Sequence, residues 1–240
     1  MATNRTLLVD IGNTQIKFCW ADELDQPARI VRQVEDLFSF VLIHPANKIC
    51  LASVSNEQTI NTIQTFCSDQ SIIFQQVTTE KSAFGLKNSY ENVSTMGVDR
   101  WLAMIAAQKL SNKPFVVIDI GTALTCDFVA DGQHLGGWIV PGFHLMKQSL
   151  TQNTQRVFAD NEVPNVLSLG KRTENCVSQG CLAALQGVYR SAIDYISSIQ
   201  TDFDVFVTGG DKKMLTELDL GDNLSPANLV MRGLARYAEN

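Results

Sequence analysis

The chain opens with an apolar run, Leu7-Leu8-Val9, that predicts a buried strand, and Gly12-Asn13-Thr14 is turn chemistry that halts it. Asp10 and Lys17 flank that turn, so an acid and a base fall at the carboxyl end of the strand. In open α/β sheets that edge is where ligands bind, and a glycine beside a hydroxyl lets backbone N–H groups approach a phosphate closely. From this stretch alone, a β-hairpin with a polar turn is the simpler reading. Residues 115–128, FVVIDIGTALTCDF, repeat the pattern, with Asp119-Ile120-Gly121-Thr122 set against Asp10-Ile11-Gly12-Asn13-Thr14. Two matching turns predict duplicated halves. KICLASVSN (48–56) and DVFVTGGDK (204–212) form a second correspondence, each a short buried-type strand ending in small residues.

Helix-period segments alternate with these strands. In 97–110, Leu102, Ile105, Ala106 and Leu110 share one face, with Asp99 at the helix N-terminus. In 174–197, Val177, Cys181, Ala184, Val188, Ala192 and Tyr195 form one stripe, Gly180, Ala183 and Gly187 allow a neighbour to come close, and Thr173 is the expected N-cap. The alternation predicts an α/β protein with helix-covered sheets, divided within KLSNKPF (109–115) into halves 1–112 and 113–240.

Composition narrows the function. The chain has 240 residues, 45% of them hydrophobic, enough for real cores. It has no basic stretch leading into an apolar one at its start, and no run near the roughly 20 apolar residues of a membrane span, so a cytoplasmic protein without a membrane partner is expected. The six cysteines (Cys19, Cys50, Cys67, Cys126, Cys176 and Cys181) form no C-x-x-C pair and have no histidine at zinc spacing, and are expected to be reduced packing residues. A net charge of −6, with no basic block longer than GKRT at 170–173, lacks the footprint of a nucleic-acid binder. An anionic substrate must therefore be met by local positive groups. His44, His134 and His144 stand apart, so no catalytic triad is readable. NVLSLGKRT (165–173) lacks the first glycine of a Walker A loop, and no G-x-G-x-x-G occurs.

Two halves, each opening with an Asp-x-Gly turn at a strand end, are expected to face each other across a cleft and cradle a nucleotide's phosphates and metal. Here the sequence resembles the actin, sugar kinase and heat-shock ATPase superfamily. DIGNTQIK (10–17), GVDR (97–100), DIGTALT (119–125), GGWIVPG (136–142) and TGGD (208–211), in this order, resemble the type III pantothenate kinases. That resemblance implies a duplicated actin-like (ribonuclease H-like) fold. It also implies ATP-dependent phosphorylation of the terminal hydroxyl of pantothenate, the first step of coenzyme A biosynthesis.

By the same resemblance Asp10 orients Mg2+, while Ile11, Gly12, Asn13 and Thr14 meet phosphate and Lys17 neutralises it. Gly97, Val98, Asp99 and Arg100 recognise pantothenate, together with Tyr90 and Thr173. Asp119 binds a monovalent cation, potassium or ammonium, and Thr122 contacts ATP. GGWIVPG forms a hairpin over the nucleotide, whose adenosine lies close to Gly209-Gly210. The family forms homodimers in which the partner covers the substrate. Where family members often carry a proline after the tyrosine, this chain reads Glu-Asn-Val-Ser.

Elementary chemistry adds its own reasons. An alcohol does not ionise at pH 7, so a carboxylate must receive its proton as the O–P bond forms, and Asp99 is the candidate base. Arg100, a cation in the first helical turn, opposes the helix dipole, and an anionic ligand is the simplest compensation. Plainer readings stand beside these: Asp10 as a turn former, Lys17 as a surface lysine, Asp99 and Thr173 as caps, Tyr90 as a loop aromatic and Trp138 as packing. Two rival functions are another kinase or phosphotransferase of the same fold, acting on a sugar, acetate or polyphosphate, and a catalytically silent regulator.

Overall fold

The computed structural model describes residues 5–12, 14–54, 57–152, 163–215, 218 and 226–239. In chain order the elements are β1 (Thr6–Ile11), β2 (Ile16–Trp20), β3 (Arg29–Val31), α1 (Val34–Ile43), β4 (Lys48–Ser53), α2 (Glu57–Asp69) and β5 (Ile73–Val77). A small hairpin follows, β6 (Ser82–Ala83) with β7 (Leu86–Lys87), then α3 (Val98–Leu110), β8 (Phe115–Ile120), β9 (Ala123–Ala130) and β10 (Gln133–Pro141). The last are α4 (Phe143–Gln152), α5 (Thr173–Ile199), β11 (Asp204–Thr208) and α6 (Leu229–Ala238).

The chain forms two compact units, Met1–Leu110 with Pro226–Asn240, and Ser111–Ser225. In the first, the sheet order is β3-β2-β1-β4-β5; β1 pairs antiparallel with β2 and parallel with β4. Side chains alternate between the two faces of a strand. Leu7, Val9 and Ile11 accordingly join Leu37, Val41, Ile60 and Ile63 of α1 and α2, whereas Leu8 joins Leu102 of α3 and Met231 and Leu234 of α6. A strand covered on both faces reads as an unbroken apolar run, which is why Leu7-Leu8-Val9 shows no alternation.

In the second unit β8 pairs antiparallel with β9 and parallel with β11, and β10 extends the sheet beside β9. Its core sets Val116, Ile118 and Ile120 against Leu182, Leu185 and Tyr189 of α5. The order β10-β9-β8-β11 repeats β3-β2-β1-β4: a hairpin whose first strand later receives a parallel neighbour. The two correspondences read from the sequence fall on equivalent strands.

Three expectations need correcting. The division falls after Leu110, and the second unit does not run on to residue 240, because 226–240 groups with the first unit. The reason is α6, which lays Met231, Leu234 and Ala235 into the first unit's interior and packs on α3 so closely that a Cβ at Gly233 would overlap the Leu102 carbonyl. On α3, Leu110 is 46% exposed, while Trp101, Met104 and Ala107 are buried as fully as the expected face. Along α5 the buried line is Cys181, Leu182, Leu185, Tyr189, Ala192 and Ile196, and Ala184 and Tyr195 are exposed. The larger leucines and tyrosine remove more apolar area from water than the valine and alanine line. Gly180, Ala183 and Gly187 are exposed, and an added Cβ on either glycine meets nothing within 4 Å.

All six cysteines are free, and Cys176 is the exposed one. Burial pushes the thiols of Cys19 and Cys67 up to about 11 and that of Cys50 to about 12, so these behave as packing groups.

Candidate active site

In the first unit, β1 delivers Asp10 and Ile11 to its carboxyl end. The Gly12 N–H donates to the Gln15 carbonyl at 3.0 Å and closes the loop into β2, so the polar turn is indeed a hairpin turn. The same loop lies at the carboxyl end of the parallel pair β1 and β4, the edge at which open α/β sheets bind ligands. Asp10 and Lys17 are direct partners across the β1–β2 ladder, which places both side chains on one face. Ile11 is buried and Thr14 exposed. Asn13 lies outside the described residues.

The start of α3 reaches the same edge. The Val54 N–H, just past β4, donates to the Ile11 carbonyl at 3.0 Å, and a Cβ at Gly97 would stand 3.8 Å from Val54 Cγ1. Val98 turns inward and is 5% exposed, packed with Leu8 and Ala52, so its side chain belongs to the core. Asp99 is half-buried, and its Oδ1 accepts the Arg100 backbone N–H at 2.8 Å. The Arg100 side chain is 7% exposed, yet its guanidinium donates to the Tyr90 hydroxyl at 2.8 Å and lies 5.7 Å from the Tyr90 ring centre. A buried guanidinium hydrogen-bonded to a phenol is a group able to hold an anion through charge-assisted hydrogen bonds.

Two further residues hold Tyr90. Its N–H donates to Asn88 Oδ1 at 2.9 Å, and its carbonyl accepts from Lys81 Nζ at 2.8 Å. An isolated lysine carries no sequence signal, whereas the Asn-Ser-Tyr spacing is that of an Asx turn.

The second unit has its own cluster. Asp119 lies in register between Thr208 of β11 and Thr125 of β9, and the Gly121 N–H donates to the Ala123 carbonyl at 3.0 Å. Gly209 adopts φ +99°, and a Cβ there would stand 2.5 Å from Asp119 Oδ1, so only glycine fits. Thr122 and Gly210 are exposed. The N–H of Asp211, which closes the TGGD motif and was given no role of its own from the sequence, donates to the Ile120 carbonyl at 3.0 Å. The segment expected as a hairpin, 136–142, is instead most of strand β10. Its last residue, Gly142, donates its N–H to the Thr122 carbonyl at 2.9 Å, and a Cβ there would overlap the Gly121 carbonyl. Trp138 packs edge-on against Phe128 and Tyr195, as a packing residue should. Thr173 is exposed and is the first residue of α5; the N-cap is Arg172, whose extended backbone directs its carbonyl to the Cys176 N–H at 2.9 Å.

Among the described residues no three His, Cys, Asp or Glu side chains converge to cage a metal. Single carboxylates at strand ends, as at Asp10 and Asp119, suit a hard cation that takes most of its oxygens from phosphate and water.

Comparison with known proteins agrees with this architecture. The type III pantothenate kinase family model matches residues 6–194. A type III pantothenate kinase of Pseudoalteromonas atlantica is 37% identical over 236 residues, covering 96% of each chain. One from Colwellia psychrerythraea is 30% identical over 247 residues, covering 97% of this chain and 99% of its own. Among solved structures, a chain from Campylobacter jejuni assigned to the Baf family of transcriptional activators superposes with a TM-score of 0.63 at 21% identity, covering 97% of each chain. The ROK hexokinase of Thermus thermophilus gives 0.50 at 11% identity, covering 98% of this chain and 99% of its own. These structural likenesses concern the fold, which is the duplicated actin-like arrangement. The family match and the near-complete alignment with its members establish that the chain belongs to the type III pantothenate kinases.

Proposed function

We propose that the chain transfers the γ-phosphoryl group of ATP to the terminal hydroxyl of pantothenate, the first step of coenzyme A biosynthesis, with Asp99 as general base. The hydroxyl oxygen forms the new bond to Pγ, the bond from Pγ to the bridging oxygen breaks, ADP leaves, and the proton passes to the Asp99 carboxylate. The observation that carries this reading is the joining of Asp99, the buried Arg100 and Tyr90 at the start of one helix. Arg100 and Tyr90 bind the acceptor's carboxylate, and Gly97 and Val98 shape the backbone there. On β1 and its turn, Ile11, Gly12, Asn13 and Thr14 meet phosphate while Lys17 offsets its charge. Catalysis is then mostly positioning and charge stabilisation.

A bound Mg2+ would supply neutralisation of phosphate charge during the transfer. Asp10 is the residue of this chain that would hold it. In the second unit Thr122, Gly209 and Gly210 contact the nucleotide, and Asp119 holds a potassium or ammonium ion. The exposed small residues of α5, at 180, 183 and 187, are compatible with a homodimer in close helix–helix contact, and Thr173 contacts the substrate. Six free thiols support a reducing, cytoplasmic setting.

The test is ADP release by the purified protein with Mg-ATP and pantothenate, in potassium and in sodium buffer, with acetate and glucose as control acceptors. Pantothenate-dependent turnover supports the substrate, and its need for potassium supports the Asp119 role. Turnover in both buffers discards the cation site, and silence with pantothenate removes the substrate assignment. Asp99→Asn should keep its fold and nucleotide binding but lose about 100- to 10,000-fold in turnover; near-normal turnover removes the base.

A further inference from the structure

We infer that Gly97 is a positioning residue that acts through Asp99: by carrying no side chain it leaves open the space in which the Asp99 carboxylate is held. The inference rests on the reading of Asp99 as the base and adds what keeps that base in place.

Gly97 opens α3, and its carbonyl accepts the Trp101 N–H at 3.3 Å. At such a position Ser, Thr, Asp and Asn lead, because their side chains cap the helix, and glycine is enriched only modestly. The usual reason for a glycine is absent, since Gly97 is not among the glycines with positive φ. Its backbone conformation is one that any L-residue adopts.

What excludes a side chain is the carboxylate. A Cβ on Gly97 would overlap Asp99 Oδ1 and lie 3.6 Å from its Cγ, while the next atom, Val54 Cγ1, stands at an ordinary 3.8 Å. No backbone atom stands among these nearest neighbours. Gly209 differs, for there a Cβ would also overlap the Ile120 backbone, so its substitution disturbs the sheet itself. At Gly97 the obstacle is the end of one side chain. Alanine there forces Asp99 out of the rotamer in which Oδ1 accepts the Arg100 N–H at 2.8 Å. Misplacing a reacting group by about 1 Å costs on the order of 100-fold in rate.

The experiment compares Gly97→Ala, Asp99→Asn, Asp99→Ala and the double variant Gly97→Ala/Asp99→Ala by kcat, KM for ATP and melting temperature. Gly97→Ala should lose about 100-fold in kcat with KM for ATP changed less than about twofold. In the Asp99→Ala background the same substitution should cost no further turnover, since a residue that acts through another adds nothing once that other is gone. Any fall in melting temperature caused by Gly97→Ala should be relieved when Asp99 is shortened to alanine. A Gly97→Ala enzyme within about twofold of the parent while Asp99→Asn is inactive overturns the inference and leaves the base assignment standing. A further loss in the double variant, or a melting temperature that stays low there, overturns it as well. Near-normal turnover by Asp99→Asn instead removes the base, and the positioning role with it.

Discussion

The Tyr90 hydroxyl accepts a hydrogen bond from the Arg100 guanidinium at 2.8 Å, although the two residues lie on a loop and on a helix. Tyr90 thereby fixes the direction in which a buried cation presents its remaining donors. Tyr90→Phe should raise KM for pantothenate about 10-fold, the worth of one hydrogen bond to a charged group. KM for ATP should stay within about twofold. Steady-state kinetics with each substrate varied in turn checks this, and an equal rise in both constants would detach Tyr90 from acceptor binding.

Gly233 of α6 meets the backbone of Leu102 so closely that a Cβ would lie 2.6 Å from the Leu102 carbonyl carbon. In an open helix interior, Gly→Ala stabilises by about 1 kcal/mol. Here overpacking opposes it at roughly 1–3 kcal/mol, and because backbone rather than a side chain must yield, the upper end applies. Gly233→Ala should therefore destabilise the first unit by about 1–2 kcal/mol net. The urea unfolding midpoint decides the sign.

Tyr237 of α6 donates to Glu80 at 2.6 Å and accepts from the Trp101 indole at 2.9 Å. Burial, reinforced by the bond to Glu80, raises its phenol well above the ordinary value of 10. The folded chain then keeps this proton at a pH where the unfolded chain has lost it, so its contribution is complete below pH 10 and declines as pH rises above that value. Tyr237→Phe should be about 1 kcal/mol less stable at neutral pH. Between about pH 9 and about pH 11 it should lose less stability than the parent, as thermal melts in a pH series would show. Parallel losses in both proteins would contradict the raised phenol.

Much of this architecture was legible in the sequence because the two central hairpins are buried on both faces, which leaves unbroken apolar runs ending in Asp-x-Gly turns. The parallel partners β4 and β11 were readable for the same reason. The destination of α6 was not, since an amphipathic helix advertises an apolar face and not the surface that will cover it. On α5, two neighbouring lines of apolar residues compete, and side-chain size chose the one with Leu182 and Leu185. At the site, Asp99, Arg100 and Tyr90 were identified as residues, but their mutual contacts cross loop and helix and carry no periodic signal. Lys81 was invisible because a single lysine in a loop looks like any other until a carbonyl is brought to it, whereas Asn88 left the signal of an Asx turn. Val98, read as part of a binding motif, sits there as a core residue that fixes the helix while its neighbours face outward.

The return of residues 226–240 to the first unit has a consequence for how the chain is made. The second unit is a continuous stretch of chain, whereas the first is assembled from two stretches separated by the whole of the second. During vectorial synthesis Leu8, Cys50 and Leu102 emerge early, yet the helix that covers them leaves the ribosome last among the described elements. The nascent first unit therefore waits with one apolar sheet face incompletely covered while Ser111–Ser225 emerges as an uninterrupted segment able to close its own core. The later-made unit is thus the first that can reach completion, and the helix carrying Asp99 receives its last support from the end of the described chain.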